Sequence, residues 1–187
     1  RSIIEACKRK KIKTLMVQHG MKVHSPVLGY TKVDRMALFG DFTKDVLVKN
    51  GVSNEILSVT GRPLWDRISD YKVNKAFHKS SLLTKWGISP EKKIAVFLSE
   101  PHRDVEKAKK ILEVIYSIFS EFDNICLINK LHPNESSSIN LQAKKNFNKK
   151  VILTRNTNLF KILCASDLAI TQSSTTGLES LMFDIPL

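Results

Sequence analysis

The chain reads as an α/β protein with parallel sheets, built as two successive halves. Short apolar, strand-like runs alternate with helix-like segments along most of its length, and connections between them are brief. The alternation is interrupted once, by a polar stretch, and then resumes. With 42% hydrophobic and 26% charged residues in 187, the composition is that of a folded chain, long enough for one domain or for one domain and part of another.

The elements follow in order. Residues 2–10 read as the end of a helix, and TLMVQHG (14–20) as a short buried strand running into a turn. MALFG (36–40) is a second strand; FTKDVLVKNG continues as a helix with Gly51 placed as its stop, and ILSVTG (56–61) is a third strand. Residues 62–92 break the rhythm with Pro63, a run rich in Lys and Ser, a short helix ending at Trp86 and Gly87, and then Ser89-Pro90. IAVFLSE (94–100) resumes it, followed by a helix from Asp104 to Phe122 in which Val105, Ala108, Leu112, Ile115, Phe119 and Phe122 recur at helical spacing. NICLINKLHP (124–133) is a strand, 135–148 a polar helix or loop, VILT (151–154) a strand, and NLFKILCAS (158–166) a helix. LAIT (168–171) is a strand, TTGLESLMF (175–183) a helix, and a last strand begins at Ile185.

This pattern gives two Rossmann-like parallel-sheet domains: residues 1–64 as the C-terminal part of the first, 65–92 as an interdomain linker, and 93–187 as the second. The chain starts at Arg1 and stops at what reads as an opening strand, so both domains are expected to be incomplete. Trp65 and Trp86 flank the linker and read as packing residues.

Composition narrows the function classes. No apolar run approaches the roughly 20 residues of a membrane span, and RSIIEACKRKKIK lacks a signal-peptide core, which predicts a cytoplasmic protein. Cys7, Cys126 and Cys164 are too far apart to suggest a disulfide framework or a thiolate metal site. The net charge is +12, split as +13 over residues 1–150 and −1 over 151–187. No aromatic RNA-binding pattern, zinc finger or basic zipper accompanies it, so it reads as a field for phosphorylated substrates or an anionic membrane face rather than for nucleic acid.

In open parallel sheets, ligands bind beyond the carboxyl ends of the strands. That rule singles out residues 18–20, Gly40, Gly61, residues 100–103, His132-Pro133 and residues 172–177, and four of these segments could carry chemistry. In SDLAITQSSTTGLESLMF (166–183), Ser173, Ser174, Thr175, Thr176 and Gly177 pass from a strand into a helix; hydroxyls and free backbone N–H groups there suit a diphosphate, although Ser and Thr also favour a plain helix cap. Glu179 lies one turn further, where it could accept from ribose hydroxyls or only complement the helix dipole. In KLHPNE (130–135), His132 stands at a strand end, either able to donate to a phosphate or sugar oxygen or to shuttle a proton, or only a surface histidine there. His19, in Gln18-His19-Gly20, reads either as a general base or as a loop histidine satisfied by backbone, and Arg103, beside His102 in PHR (101–103), could clamp a phosphate with its planar fork or simply begin the next helix facing solvent. His24 and His78 read as surface residues. No P-loop, nucleophile elbow, HExxH pair or paired-Asp metal motif is present, and no metal is expected.

In this order, VTGRPLWD (59–66), the His102-Arg103 turn, KLHPNE and SDLAITQSSTTGLESLMFDIP resemble the landmarks of the superfamily that includes UDP-N-acetylglucosamine 2-epimerases, GT-B glycosyltransferases of surface polysaccharide synthesis and CDP-glycerol glycerophosphotransferases. The resemblance covers roughly residues 14–187. It implies a GT-B fold whose second domain holds most of a nucleotide, with His132 and residues 173–177 on the phosphates, Glu179 on the ribose, and His102 and Arg103 on the phosphate or sugar side. The QHG turn resembles a cleft segment of capsule and teichoic-acid transferases, which makes His19 the candidate base and His132 the second catalytic candidate. Epimerases usually carry Asp-Ser-Gly-Gly where Gln172-Ser173-Ser174-Thr175 stands, which favours a transferase. The function implied is transfer of a sugar or polyol-phosphate from a UDP- or CDP-linked donor to a glycan or lipid-linked acceptor, without a cofactor and with peripheral contact at the inner membrane face. A 2-epimerase and a basic non-enzymatic binding module are the competing readings.

Overall fold

A computed structural model describes residues 2–20, 32–102, 104–145, 147 and 151–187. They form two compact units, Arg1–Asp66 and Arg67–Leu187. The first contains α1 (Ser2–Arg9), β1 (Leu15–Val17), β2 (Arg35–Leu38), α2 (Asp41–Lys49) and β3 (Leu57–Val59). Its three strands run parallel in the order β1-β2-β3, with Leu15 opposite Arg35 and Met36 opposite Leu57. Met36 and Leu38, each 1% exposed, pack with Val33, Leu47, Val52 and Leu57 into one core. The α2 helix has Asp41 in its first turn and Lys49 in its last, matching the helix dipole, and it stops where Gly51 adopts a φ of +85°. The first strand differs from its expected burial: Leu15 and Val17 point outward and only Met16 faces the core.

The second unit contains α3 (Ile68–Val73), α4 (Lys75–Trp86), β4 (Lys93–Leu98), α5 (Val105–Ser120), β5 (Ile125–Lys130), α6 (Ser137–Lys145), β6 (Val151–Thr154), α7 (Leu159–Ala165), β7 (Leu168–Thr171) and α8 (Thr176–Met182). Its sheet is parallel in the order β6-β5-β4-β7. The chain therefore moves outward from β4 through β5 to β6, and then returns to the other flank of β4. The direction of winding reverses between β4 and β7. Helices cover both sheet faces, and β4 accordingly buries every residue from Ile94 to Leu98.

Local chemistry explains the helix ends. Asp104 caps α5 by accepting from the Lys107 N–H at 3.1 Å, and Asn158 caps α7 by accepting from the Lys161 N–H at 3.2 Å. At the end of α4, Gly87 takes a φ of +58° and the Ile88 N–H returns to the Leu83 carbonyl at 2.9 Å.

Several expectations change. Residues 65–92, read as a linker, hold α3 and α4, which lie against α7. Ile68, Leu82, Leu83 and Ile88 are buried there, while Lys and Ser populate the opposite side; a one-sided apolar pattern was hidden by the polar average. The long helix spans 105–120, and its buried line runs through Leu112 and Tyr116 rather than through Val105 and Phe122, which are 54% and 44% exposed. Residues 185–187 form no strand, although the Ala169 N–H donates to the Pro186 carbonyl at 2.9 Å. His78 is half-buried against Tyr71 and Phe77, with ring centroids at 5.0 and 5.5 Å, instead of lying on the surface. Trp65 packs on Phe39 at 5.5 Å with the Arg62 guanidinium over both rings.

Candidate functional site

The carboxyl ends of β4, β5 and β7 are neighbours, because Leu98 at the end of β4 pairs with both Lys130 and Thr171. From these ends emerge the segments carrying Ser99, Glu100 and His102, the turn carrying His132, and the loop at 172–177. A reversal of winding order leaves a crevice at this place in a parallel sheet. One contact spans it: Glu100 Oε1 accepts the Ser173 N–H at 2.7 Å, and Oε2 accepts the Ser173 hydroxyl at 3.0 Å. A carboxylate of the protein itself thus occupies donors expected to face a ligand anion. Glu100 was singled out by its place just past a buried strand but was given no role at the site. His102 is half-buried beside it, with Nε2 buried and unpartnered among the described residues. Arg103 lies outside the described residues.

The loop of hydroxyl residues is organised from within. Ser174 Oγ accepts the Thr176 N–H at 3.3 Å, its carbonyl accepts the Gly177 N–H at 3.0 Å, and Thr175, at the helix start, makes no side-chain cap. The hydroxyls of Thr171 and Thr176 are buried without partners among the described residues. Gly177 is explained by crowding: a Cβ there would sit 3.1 Å from Thr171 Cγ2 and 3.3 Å from Leu187 Cδ2. Glu179, expected to reach a ribose, is 2% exposed in the second unit.

His132 sits in a turn closed by the Glu135 N–H donating to the His132 carbonyl at 3.1 Å. The Asn134 N–H donates to His132 Nδ1 at 3.1 Å, which leaves the proton of the neutral ring on Nε2. Beneath the turn runs a polar chain that sequence reasoning missed. Glu135 Oε2 accepts the Ser99 hydroxyl at 2.5 Å and the His132 N–H at 3.2 Å, while Oε1 accepts from Asn140 Nδ2 at 2.8 Å. Asn140 Oδ1 accepts from Asn129 Nδ2 at 2.7 Å, and that same amide nitrogen donates to the Tyr116 hydroxyl oxygen at 2.8 Å. Tyr116, Asn129 and Asn140 are at most 1% exposed, and burial pushes the Tyr116 phenol up to about 12. At the end of β5, burial and the nearby Arg155 charge hold the Lys130 ammonium below its ordinary range, and its Nζ donates to the Arg155 carbonyl at 2.5 Å.

In the first unit His19 is exposed. Its neighbour Gln18 does the bracing: Oε1 accepts the Phe39 N–H at 2.8 Å, and Nε2 donates to the Gly20 carbonyl at 3.0 Å and to Thr43 Oγ1 at 3.3 Å. His24 lies outside the described residues. Among the described residues, no group of three or more His, Cys, Asp or Glu side chains is gathered to hold a metal, and no helix is long and apolar enough to cross a membrane.

Comparison with known proteins agrees with this architecture. No curated protein sequence matches the chain. Solved structures do: a protein assigned as a UDP-N-acetylglucosamine 2-epimerase of Listeria monocytogenes matches at 15% identity and TM-score 0.67, over 97% of this chain and 51% of that one. The Methanocaldococcus jannaschii UDP-GlcNAc 2-epimerase in complex with UDP-GlcNAc and UDP matches at 17% identity and TM-score 0.69, over 98% and 54%. The wall teichoic acid polymerase TagF matches at 17% identity and TM-score 0.60, over 83% and 39%. These likenesses establish the GT-B fold, of which the chain spans about half the length found in the epimerases. The profile of the lipid-A-disaccharide synthetase family matches residues 33–187, and with most of its length so matched, this chain belongs to that family.

Proposed function

We propose that the full protein is a glycosyltransferase that moves a sugar from a nucleotide-activated donor to a lipid-linked saccharide, and that this chain carries donor-binding loops. The observation that carries the reading is the meeting of Glu100 and Ser173 across the point where strand order reverses, with His132 on the adjoining strand end. A diphosphate there would exchange with the Glu100 carboxylate for the Ser173 N–H and hydroxyl, and would meet the Nε2–H of His132. Membership of a lipid-A-disaccharide synthetase family supports a glycosyl donor over a polyol-phosphate one and a lipid-linked acceptor over a soluble glycan. His19 is our candidate for the base that deprotonates the acceptor hydroxyl, being an exposed imidazole on a braced turn. The basic charge of residues 1–150 fits an approach to an anionic membrane face.

The test is to incubate full-length protein with UDP- and CDP-linked donors, with and without membrane-extracted lipid-linked saccharides. The expected outcome is release of free nucleotide that requires acceptor. Release of an epimerised sugar from donor alone would replace this reading with the epimerase one, and no reaction with any donor would end it.

A further inference from the structure

Among the described residues Glu135 joins neither an ion pair nor a group that could hold a metal, yet its carboxylate accepts three donors from three different places. They are the hydroxyl of Ser99 after β4, the N–H of His132 after β5, and the side-chain amide of Asn140 within α6. An amide side chain is ambiguous about which end donates; a carboxylate is not. Because Glu135 can only accept here, Asn140 must turn its nitrogen toward it and its oxygen toward Asn129. Asn129 must then present its nitrogen to Asn140, and with the same nitrogen it meets the phenol oxygen of Tyr116. The orientation of the whole buried chain is dictated from the Glu135 end.

This arrangement is costly as a mere support. Buried amides and a phenol replace apolar packing between β5 and helices α5 and α6, and Asn129 Oδ1 is left buried with no partner among the described residues. What it achieves is a fixed turn at residues 132–135, in which the Asn134 N–H faces His132 Nδ1. With that N–H in place, a proton on Nδ1 would oppose another proton, so the ring keeps its single hydrogen on Nε2. His132 then serves as a hydrogen-bond donor rather than as a base at that nitrogen.

We infer that Glu135, held by Asn140, Asn129 and Tyr116, is a positioning residue that fixes His132 as the neutral Nε2–H donor toward an anionic or sugar oxygen of the ligand. The ligand named here rests on the function proposed above; the effect of Glu135 on the His132 ring does not.

The test uses full-length protein labelled with 15N-histidine, with His132 assigned from the signals lost in His132→Ala. In its uncharged form the His132 ring is expected as a single tautomer, protonated at Nε2. Glu135→Gln has the same shape but must aim its amide nitrogen at either the His132 N–H or the Asn140 amine, so the ring is expected to lose that single form. Glu135→Asp keeps the charge but falls short of the turn, and it decides the matter if the Gln variant does not fold. The signals of His19, His78 and His102 should stay in place. If both variants retain the wild-type His132 tautomer, the inference is overturned. Turnover supplies the second readout: Glu135→Asp should lower acceptor-dependent nucleotide release about tenfold in the native background and less than about twofold in a His132→Ala background. Equal losses in both backgrounds would show a general structural role and also overturn it. Wild-type protein that shows the Nε2–H ring but turns over no donor would remove the proposed function and leave the role of Glu135 standing.

Discussion

Ser173 holds the side chain most exposed to a change of charge, because both of its donors are already engaged by Glu100. An incoming phosphate has to displace that carboxylate and also meets its repulsion. Glu100→Gln is therefore expected to bind UDP several-fold more tightly than the native protein, measured by titration calorimetry; weaker binding would identify Glu100 as a ligand contact instead. Gly177 tells a different story on the same loop. Alanine would gain up to about 1 kcal/mol of helix propensity, but its Cβ would press on Thr171 Cγ2 at 3.1 Å and on Leu187 Cδ2 at 3.3 Å. Overpacking against a strand residue costs about 1–3 kcal/mol, so Gly177→Ala is expected to lower stability by about 1 kcal/mol in denaturant unfolding, with the loop's ligand affinity little changed.

Between elements, the start of β2 is tied to the segment before β1 by Asp34. Its carboxylate accepts the Thr14 N–H and hydroxyl, both at 2.8 Å, with Lys13 at 3.3 Å, and these bonds hold it down to about 2, led by the Thr14 backbone bond. An unfolded Asp titrates near 3.9, so the stability this group adds is complete above about pH 4 and disappears as pH falls toward about 2. Asp34→Asn is expected to flatten the acid sensitivity of the first unit in that window, read from hydrogen exchange of the β2 amides; an unchanged pH profile would refute the assignment. Much of the element pattern was legible in the sequence, because buried parallel strands are short apolar runs and glycine marked the ends of α2 and α4. The polar stretch at 65–92 was not, since α3 and α4 are amphipathic helices whose buried positions are few. The chain of Tyr116, Asn129, Asn140 and Glu135 was also invisible. Each of those residues alone reads as a misfit in its element, and only the fold brings them together. The candidate site was legible where a residue type announces its chemistry, as at His132 and Ser173, and illegible at Glu100, whose meaning depends on its partner across the sheet.

Across the whole chain, charge is distributed unevenly, with +13 on residues 1–150 and −1 on 151–187. Such a field acts at long range and is screened within about 10 Å at 0.1 M salt. Full-length protein is expected to sediment with vesicles containing anionic phospholipid at low salt and to be released at about 0.5 M salt, with little retention on neutral vesicles. Retention that ignores salt would mean that charge is not the attraction. The interior carries a different kind of asymmetry. Among the described residues, Asn129 Oδ1 lies buried in the second unit without a hydrogen-bond donor. Swapping Tyr116, Asn129 and Asn140 together for greasy side chains of similar volume would cure that defect, and buried polar sets replaced in this way often leave a sturdier protein. The same exchange would cut the cord that keeps the imidazole at the sheet's edge facing one way, so selection for heat resistance and selection for turnover should pull this cluster in opposite directions.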